Sequence, residues 1–228
     1  MLFLGFSAGL PLLLILGTLS FWLREAGIDR STIGYLTWVG LIYAFKWVWA
    51  PLVDRLPIPL LTKLFGRRRS WLLFAQTLII LGLLGMSSVD PQLSLNVVVW
   101  CALLVAFGSA TQDIALDAFR IESAQSDYQA ALAATYQTGY RLALIWSGAG
   151  VLWLAARAET ASGSYDPGAW QFAYVCMAAS IGVGVITTLL SKEPARVELP
   201  KARNAKAWLH QTLIEPFAEF IRRYRWHA

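Results

Sequence analysis

Residues 95–120 read LNVVVWCALLVAFGSATQDIALDAFR. From Leu95 to Phe107 the only strongly polar side chain is Asn96. A helix rising 1.5 Å per residue crosses a hydrocarbon core in about 20 residues, so 95–116 reads as a membrane-spanning helix. Its second half carries charge into that span. Ser109, Asp113, Asp117 and Arg120 follow at intervals of four, four and three, which places them on one helix face with Gln112 beside them. Such a stripe would be very costly against lipid, so the face is expected to look into a helix bundle or a wet cavity. Two carboxylates one turn apart repel each other, which suits one of them to exchanging a proton.

Working outward, five more apolar stretches are long enough to cross a membrane: 2–23, 33–53, 71–89, 131–155 and 169–190. The composition agrees, with 57% hydrophobic and 14% charged residues where soluble domains carry about 25% charged. Eleven Trp and eight Tyr supply anchors for two water–lipid interfaces. The net charge is +5, but the basic residues cluster in two places. Segment 54–70 holds Arg55, Lys63, Arg67, Arg68 and Arg69 against Asp54, and the tail after 190 holds most of the rest. Clusters of this kind set membrane orientation, so the lipid bilayer is the expected environment and no nucleic-acid partner is expected. With both clusters cytoplasmic, the amino terminus is cytoplasmic as well.

The first apolar run begins at Met1 without a basic leader or a cleavage site, so it reads as a span, not a signal peptide. A cytoplasmic amino terminus would normally place Lys or Arg ahead of that run, so residues upstream are expected. The chain thus divides into a six-helix bundle at 1–191 and a basic linker at 192–228. In the linker Trp208, Leu209, Leu213, Phe217, Phe220, Ile221 and Tyr224 alternate with polar residues, the pattern of an amphipathic helix lying on the membrane surface and restarted at Pro216. An in-plane helix at that position leads toward further spans.

Two other intramembrane cations are candidate ligands. Arg141 sits about ten residues, or roughly 15 Å, inside the fifth span. Lys46 lies among Tyr43, Trp47 and Trp49 in the second, within reach of the cytoplasmic interface. Small residues at four-residue spacing, Gly5 and Gly9, Ala106 and Ala110, Ala143 and Ser147, favour close helix approach. Pro11 and Gly17 interrupt the first span. Cys101 and Cys176 lie in apolar stretches and behave as small hydrophobes, with no metal or disulfide expected. No phosphate-binding loop or Ser/His/Asp set is present, so an enzyme is not expected.

The connection after the second span reads Ala50-Pro51-Leu52-Val53-Asp54-Arg55 and then, after ten residues, Gly66-Arg67-Arg68-Arg69. It resembles the signature between the second and third helices of the major facilitator superfamily. That resemblance implies a six-helix amino-terminal bundle in which Asp54, Arg55, Gly66, Arg67, Arg68 and Arg69 close the cytoplasmic side. Leu4-Gly5-Phe6-Ser7-Ala8-Gly9-Leu10-Pro11, Trp49-Ala50-Pro51-Leu52-Val53-Asp54-Arg55, Ala110-Thr111-Gln112-Asp113-Ile114-Ala115-Leu116-Asp117-Ala118, Gly139-Tyr140-Arg141 and Ala169-Trp170-Gln171 are similar to the AmpG-type muropeptide permeases. The family implies proton-driven import of anhydro-muropeptides across the bacterial inner membrane for peptidoglycan recycling, with consequences for β-lactamase induction. It also implies a second six-helix half beyond this chain, and a proton gradient in place of any cofactor. Under this reading Asp113 and Asp117 exchange protons, Lys46 and Arg141 attract substrate carboxylates, and Gln112, Tyr136 and Tyr140 bind sugar hydroxyls. A facilitator for another sugar or nucleotide conjugate such as acetyl-CoA, or a non-transporting scaffold, remain alternative readings.

Overall fold

The computed structural model describes residues 1–159, 165–195 and 215–224. Among these residues every regular element is helical and none is a strand. Among the described residues, four helices are long and apolar enough to cross a membrane: α1 (Leu2–Glu25), α6 (Arg67–Ser87), α7 (Pro91–Ser123) and α10 (Pro167–Leu190). The stretch expected to form the second span is instead a chain of short pieces. It runs through α2 (Arg30–Leu36), a 3-10 turn (Thr37–Gly40), α3 (Leu41–Phe45), a second 3-10 turn (Lys46–Val48) and α4 (Ala50–Arg55). The expected fifth span is α8 (Gln129–Ile145), a π-turn (Trp146–Gly150) and α9 (Val151–Ala158). Its first half carries Tyr136, Gln137, Tyr140 and Arg141, which dilute its apolar character. A short α5 (Leu61–Phe65) lies between α4 and α6.

Helix starts follow local chemistry more than hydropathy. Both α7 and α10 open on an Asp-Pro pair. Asp90 accepts a hydrogen bond from the Gln92 amide at 3.0 Å, and Asp166 accepts one from Gly168 at 2.9 Å. Proline as the first helical residue loses nothing, because its missing N–H would have no partner there. α7 bends at Ser94, so its straight part begins where the apolar run begins. α6 starts four residues earlier than the apolar reading because Arg67 to Ser70 are helical yet lie outside the apolar run.

The core joins α1, α6, α7, α8, α9 and α10 into one unit covering 1–195. α1 and α8 cross backbone to backbone. A Cβ on Gly9 would lie 2.6 Å from the Tyr140 carbonyl oxygen, and one on Gly139 would fall against the Leu2 carbonyl. Ala106, Ala110, Ala143 and Ser147 are fully buried, as close packing requires. α1 runs through Pro11 and widens into a π-turn at Leu14–Thr18, facing the π-turn of Trp146–Gly150. Wide turns free carbonyl groups that hydrocarbon cannot satisfy. Here Tyr174 donates its hydroxyl to the Leu14 carbonyl at 2.8 Å, and Thr18 donates to the Ser147 carbonyl at 2.7 Å.

A second unit spans 196–228, of which α11 (Glu215–Tyr224) is described. Pro216 sits in its first turn, where proline is tolerated, and Arg223 pairs with Glu219 at 3.5 Å one turn away. The part of the expected amphipathic pattern at Trp208, Leu209 and Leu213 lies outside the described residues.

Candidate transport site

Trp49 fixes the broken second segment onto α7. Its indole donates to the Thr111 hydroxyl at 3.1 Å, and its ring packs on Phe107 with centroids 5.2 Å apart. That anchor sets the 3-10 turn bearing Lys46 opposite the polar face of α7. Lys46 Nζ lies 3.5 Å from Asp113 Oδ2, with the lysine side chain 39% and the aspartate 21% exposed. The pair is therefore reachable from outside the bundle, not locked in its core.

Hydroxyls surround it. Tyr43 keeps its OH buried, beside Ser109 and within electrostatic reach of Asp113. Tyr136 and Tyr140, one turn apart on α8 with their rings tilted and centroids 6.0 Å apart, also lie in the field of Asp113. The α1–α8 crossing brings Gly5 against the backbone of Tyr136 and Gly9 against that of Tyr140. Asp117, one turn further on, pairs with Arg120 at 3.3 Å and is more exposed than Asp113.

Two expected residues stand apart from this constellation. Arg141 is exposed and, among the described residues, makes no ion pair; Lys46 takes the place beside Asp113. Gln112 is turned away from Asp113 into the core, where its amide donates to Ser7 Oγ at 3.2 Å. Residues 112 and 113 are neighbours in sequence but project about 100° apart around a helix, so adjacency did not place them on one face. Tyr43 was missed as a site residue because nothing in a span of broken helix marks its direction.

The second cluster lies at the other expected motif. Arg68, 5% exposed, reaches Asp54 at 2.7 Å and grips Glu122 with two donors at 2.6 and 3.0 Å. Arg67 joins Glu122 at 3.3 Å. Gly66 has φ +88°, a conformation glycine adopts freely, and a Cβ there would collide with the Glu193 carboxylate. That carboxylate caps α6 by accepting from the amides of Arg68 at 2.8 Å and Arg69 at 3.1 Å, where the exposed N–H groups of a helix start favour an anion. Arg69 in turn donates to the carbonyls of Thr188 and Leu189 at the end of α10. Arg55 also has an interaction partner. One end of the unit is thus tied together by Asp54, Glu122 and Glu193 around three arginines.

The opposite end is tied by aromatics. Trp170 donates to Glu25 at 3.1 Å, and Trp22 donates to the Tyr165 hydroxyl, which donates to Asp90 at 2.9 Å. α1 and α6 therefore finish toward the aromatic end, whereas α7 and α10 begin there and finish at the arginine end.

No family model matches the chain. Curated proteins do. An anhydromuropeptide permease of Escherichia coli (strain K12) is 38% identical over 224 residues, covering 98% of this chain and 42% of the relative. A putative transporter AmpG 4 of Rickettsia felis is 36% identical over 222 residues, covering 96% of this chain and 51% of the relative. The chain spans about half the length of the curated relatives it matches. Four apolar helices of spanning length and these relatives identify a multi-pass membrane protein. The chain is homologous to the AmpG-type permeases, which it matches along nearly all of its own length and about half of theirs.

Proposed function

We propose that this chain is the amino-terminal half of a proton-coupled permease that imports anhydro-muropeptides from periplasm to cytoplasm for peptidoglycan recycling. The observation that carries the reading is the Lys46–Asp113 pair, 3.5 Å apart and partly open, in a chain 38% identical to an anhydromuropeptide permease. In this reading 1–191 is the six-helix bundle of a major facilitator. The jointed stretch α2 to α4 and the stretch α8 to α9 serve as its second and fifth spans. Irregular backbone at membrane depth belongs where it lines a cavity, and this reading gives the joint at Lys46 that role.

The pair gives a simple exchange. While Asp113 is ionised it holds Lys46. A proton arriving on Asp113 removes that partner and leaves Lys46 free for a lactyl or peptide carboxylate. Tyr136 and Tyr140 offer hydroxyls to the sugar rings, and Arg141 supplies a second cation on the same helix. Asp117, held by Arg120, relays protons toward the nearer mouth. Gln112 serves the reading as a packing contact to Ser7 beneath the site. Asp54, Arg55, Gly66, Arg67, Arg68 and Arg69 close the cytoplasmic end, and the excess of basic residues there sets the amino terminus on the cytoplasmic side of the bacterial inner membrane. Alternation of access comes from rocking against a second six-helix half.

The test is uptake of a labelled anhydro-disaccharide by a strain lacking its own muropeptide permease and expressing the whole protein. Uptake that collapses on adding a protonophore is the expected result. No uptake from protein correctly inserted in the membrane would sink the assignment of cargo.

A further inference from the structure

A groove of about 400 Å³ opens on α9 and α10, lined by Trp153, Leu154, Arg157, Ala158 and Phe172. None of the residues assigned above to transport or to the charged end takes part in it. Phe172 lies in the second turn of α10, whereas the carbonyls that bind Arg69 are in its last turn, so the groove sits at the far end from the arginine network. Along α9, Val151 and Ala155 are buried while Leu152, Trp153, Ala156 and Arg157 face outward. Trp153 is 52% exposed and Phe172 51%. The walls are apolar and the rim is cationic. Arg157 lies in the last turn of α9 with its guanidinium carbon 4.8 Å from the centre of the Trp153 ring. Among the described residues it makes no ion pair, so its charge is not cancelled.

α10 is one of the helices of spanning length, so the outward surface near its end meets the boundary between acyl chains and headgroups. An outward groove at that boundary is open to lipid. The Trp face holds the guanidinium flat by cation–π contact, leaving its donor edge free for the bidentate hydrogen bonding that phosphate accepts. A soluble phosphate would leave the apolar walls exposed, and a zwitterionic headgroup would bring a second cation beside Arg157. We propose that this groove holds an anionic phospholipid, with its phosphate on Arg157 and one acyl chain along Trp153, Leu154 and Phe172.

The protein is purified in mild detergent, given equal amounts of phosphatidylglycerol and phosphatidylcholine, and weighed by native mass spectrometry. Phosphatidylglycerol should be retained in preference, and Arg157→Gln should lower its retention about tenfold, as loss of a charged bidentate contact implies. Arg157→Lys should keep part of the preference, and Trp153→Ala should weaken retention of both lipids. Arg30→Gln, at an exposed cation away from the groove, should change nothing. Equal retention of the two lipids by the unaltered protein overturns the proposal, as does an undiminished preference in Arg157→Gln or an equal loss in Arg30→Gln. Helix content by circular dichroism and a single elution peak establish that each variant is folded. If Arg157→Gln fails that check, Arg157→Met takes its place with the same expectation.

Discussion

Arg68 shows how much of one site rests on geometry rather than charge. It divides its donors between Asp54 and Glu122, and the second contact is a two-pronged grip on a carboxylate that is only 13% exposed. Lysine keeps the charge but lacks the fork, so Arg68→Lys should lower the stability of the purified protein by about 1–3 kcal/mol. Most of that loss is assigned to Glu122, because the Asp54 side chain is 43% exposed and water replaces its partner cheaply. Thermal melting checks this, and an unchanged midpoint would show the grip to be dispensable. Asp113, Asp117 and Arg120 were legible from spacing alone, since four, four and three residues define a helix face. Glu122 and Glu193 were not, because they meet Arg68 from 54 and 125 positions away and only the folded bundle joins them. Gln112 was read onto the wrong neighbours for a related reason: a polar residue inside a span must find a partner, but the sequence does not say on which side.

The irregular elements mark where hydropathy stops being informative. An apolar window records how much of a segment lipid can tolerate and is blind to whether the helix within it is straight. The stretch α2 to α4 satisfies the window yet bends twice through 3-10 turns, and the second bend is what delivers Lys46 to Asp113. Helix crossings are more legible. Gly5 and Gly9 predicted a close approach, and the structure sets both against the α8 backbone. At the reciprocal position, Gly139→Ala places a methyl against the Leu2 carbonyl, where neither backbone can give. It should cost at least about 1–3 kcal/mol and reduce the amount of folded protein in the membrane. Melting of detergent-purified protein that matched the parent would contradict the crossing. α2 offers a test of a different kind. Hydrogen bonds from Ser31, from the Thr32 side chain and from the Thr32 amide hold the Asp29 carboxyl below the usual carboxylate range. A group depressed in the folded state stabilises above its unfolded pKa of about 4, and that contribution fades as pH falls through this value and below. Asp29→Ala should therefore lower the melting temperature at neutral pH, with the difference from the parent shrinking below about pH 4. A difference that stays constant down to pH 3 would remove the cap from the account.

At the scale of the molecule, the two ends are held by different chemistry. Three carboxylates grip arginines at one end, and tryptophans and a tyrosine meet Glu25 and Asp90 at the other. Charge clustering made the first end readable, because basic residues segregate by membrane side. The second depended on Tyr165, which lies outside any apolar run and finds Trp22 only across 143 positions. Between the ends lies the partly open Lys46–Asp113 pair, and the proposal makes it the point where proton and substrate carboxylate compete. The direct measurement is accumulation of labelled anhydro-disaccharide by vesicles carrying the whole protein, driven by an imposed pH gradient, with Asp113 intact or replaced by Asn. Asp113→Asn should abolish gradient-driven accumulation while membrane insertion, and exchange of substrate without a gradient, persist. Accumulation that still follows the gradient in Asp113→Asn would contradict it.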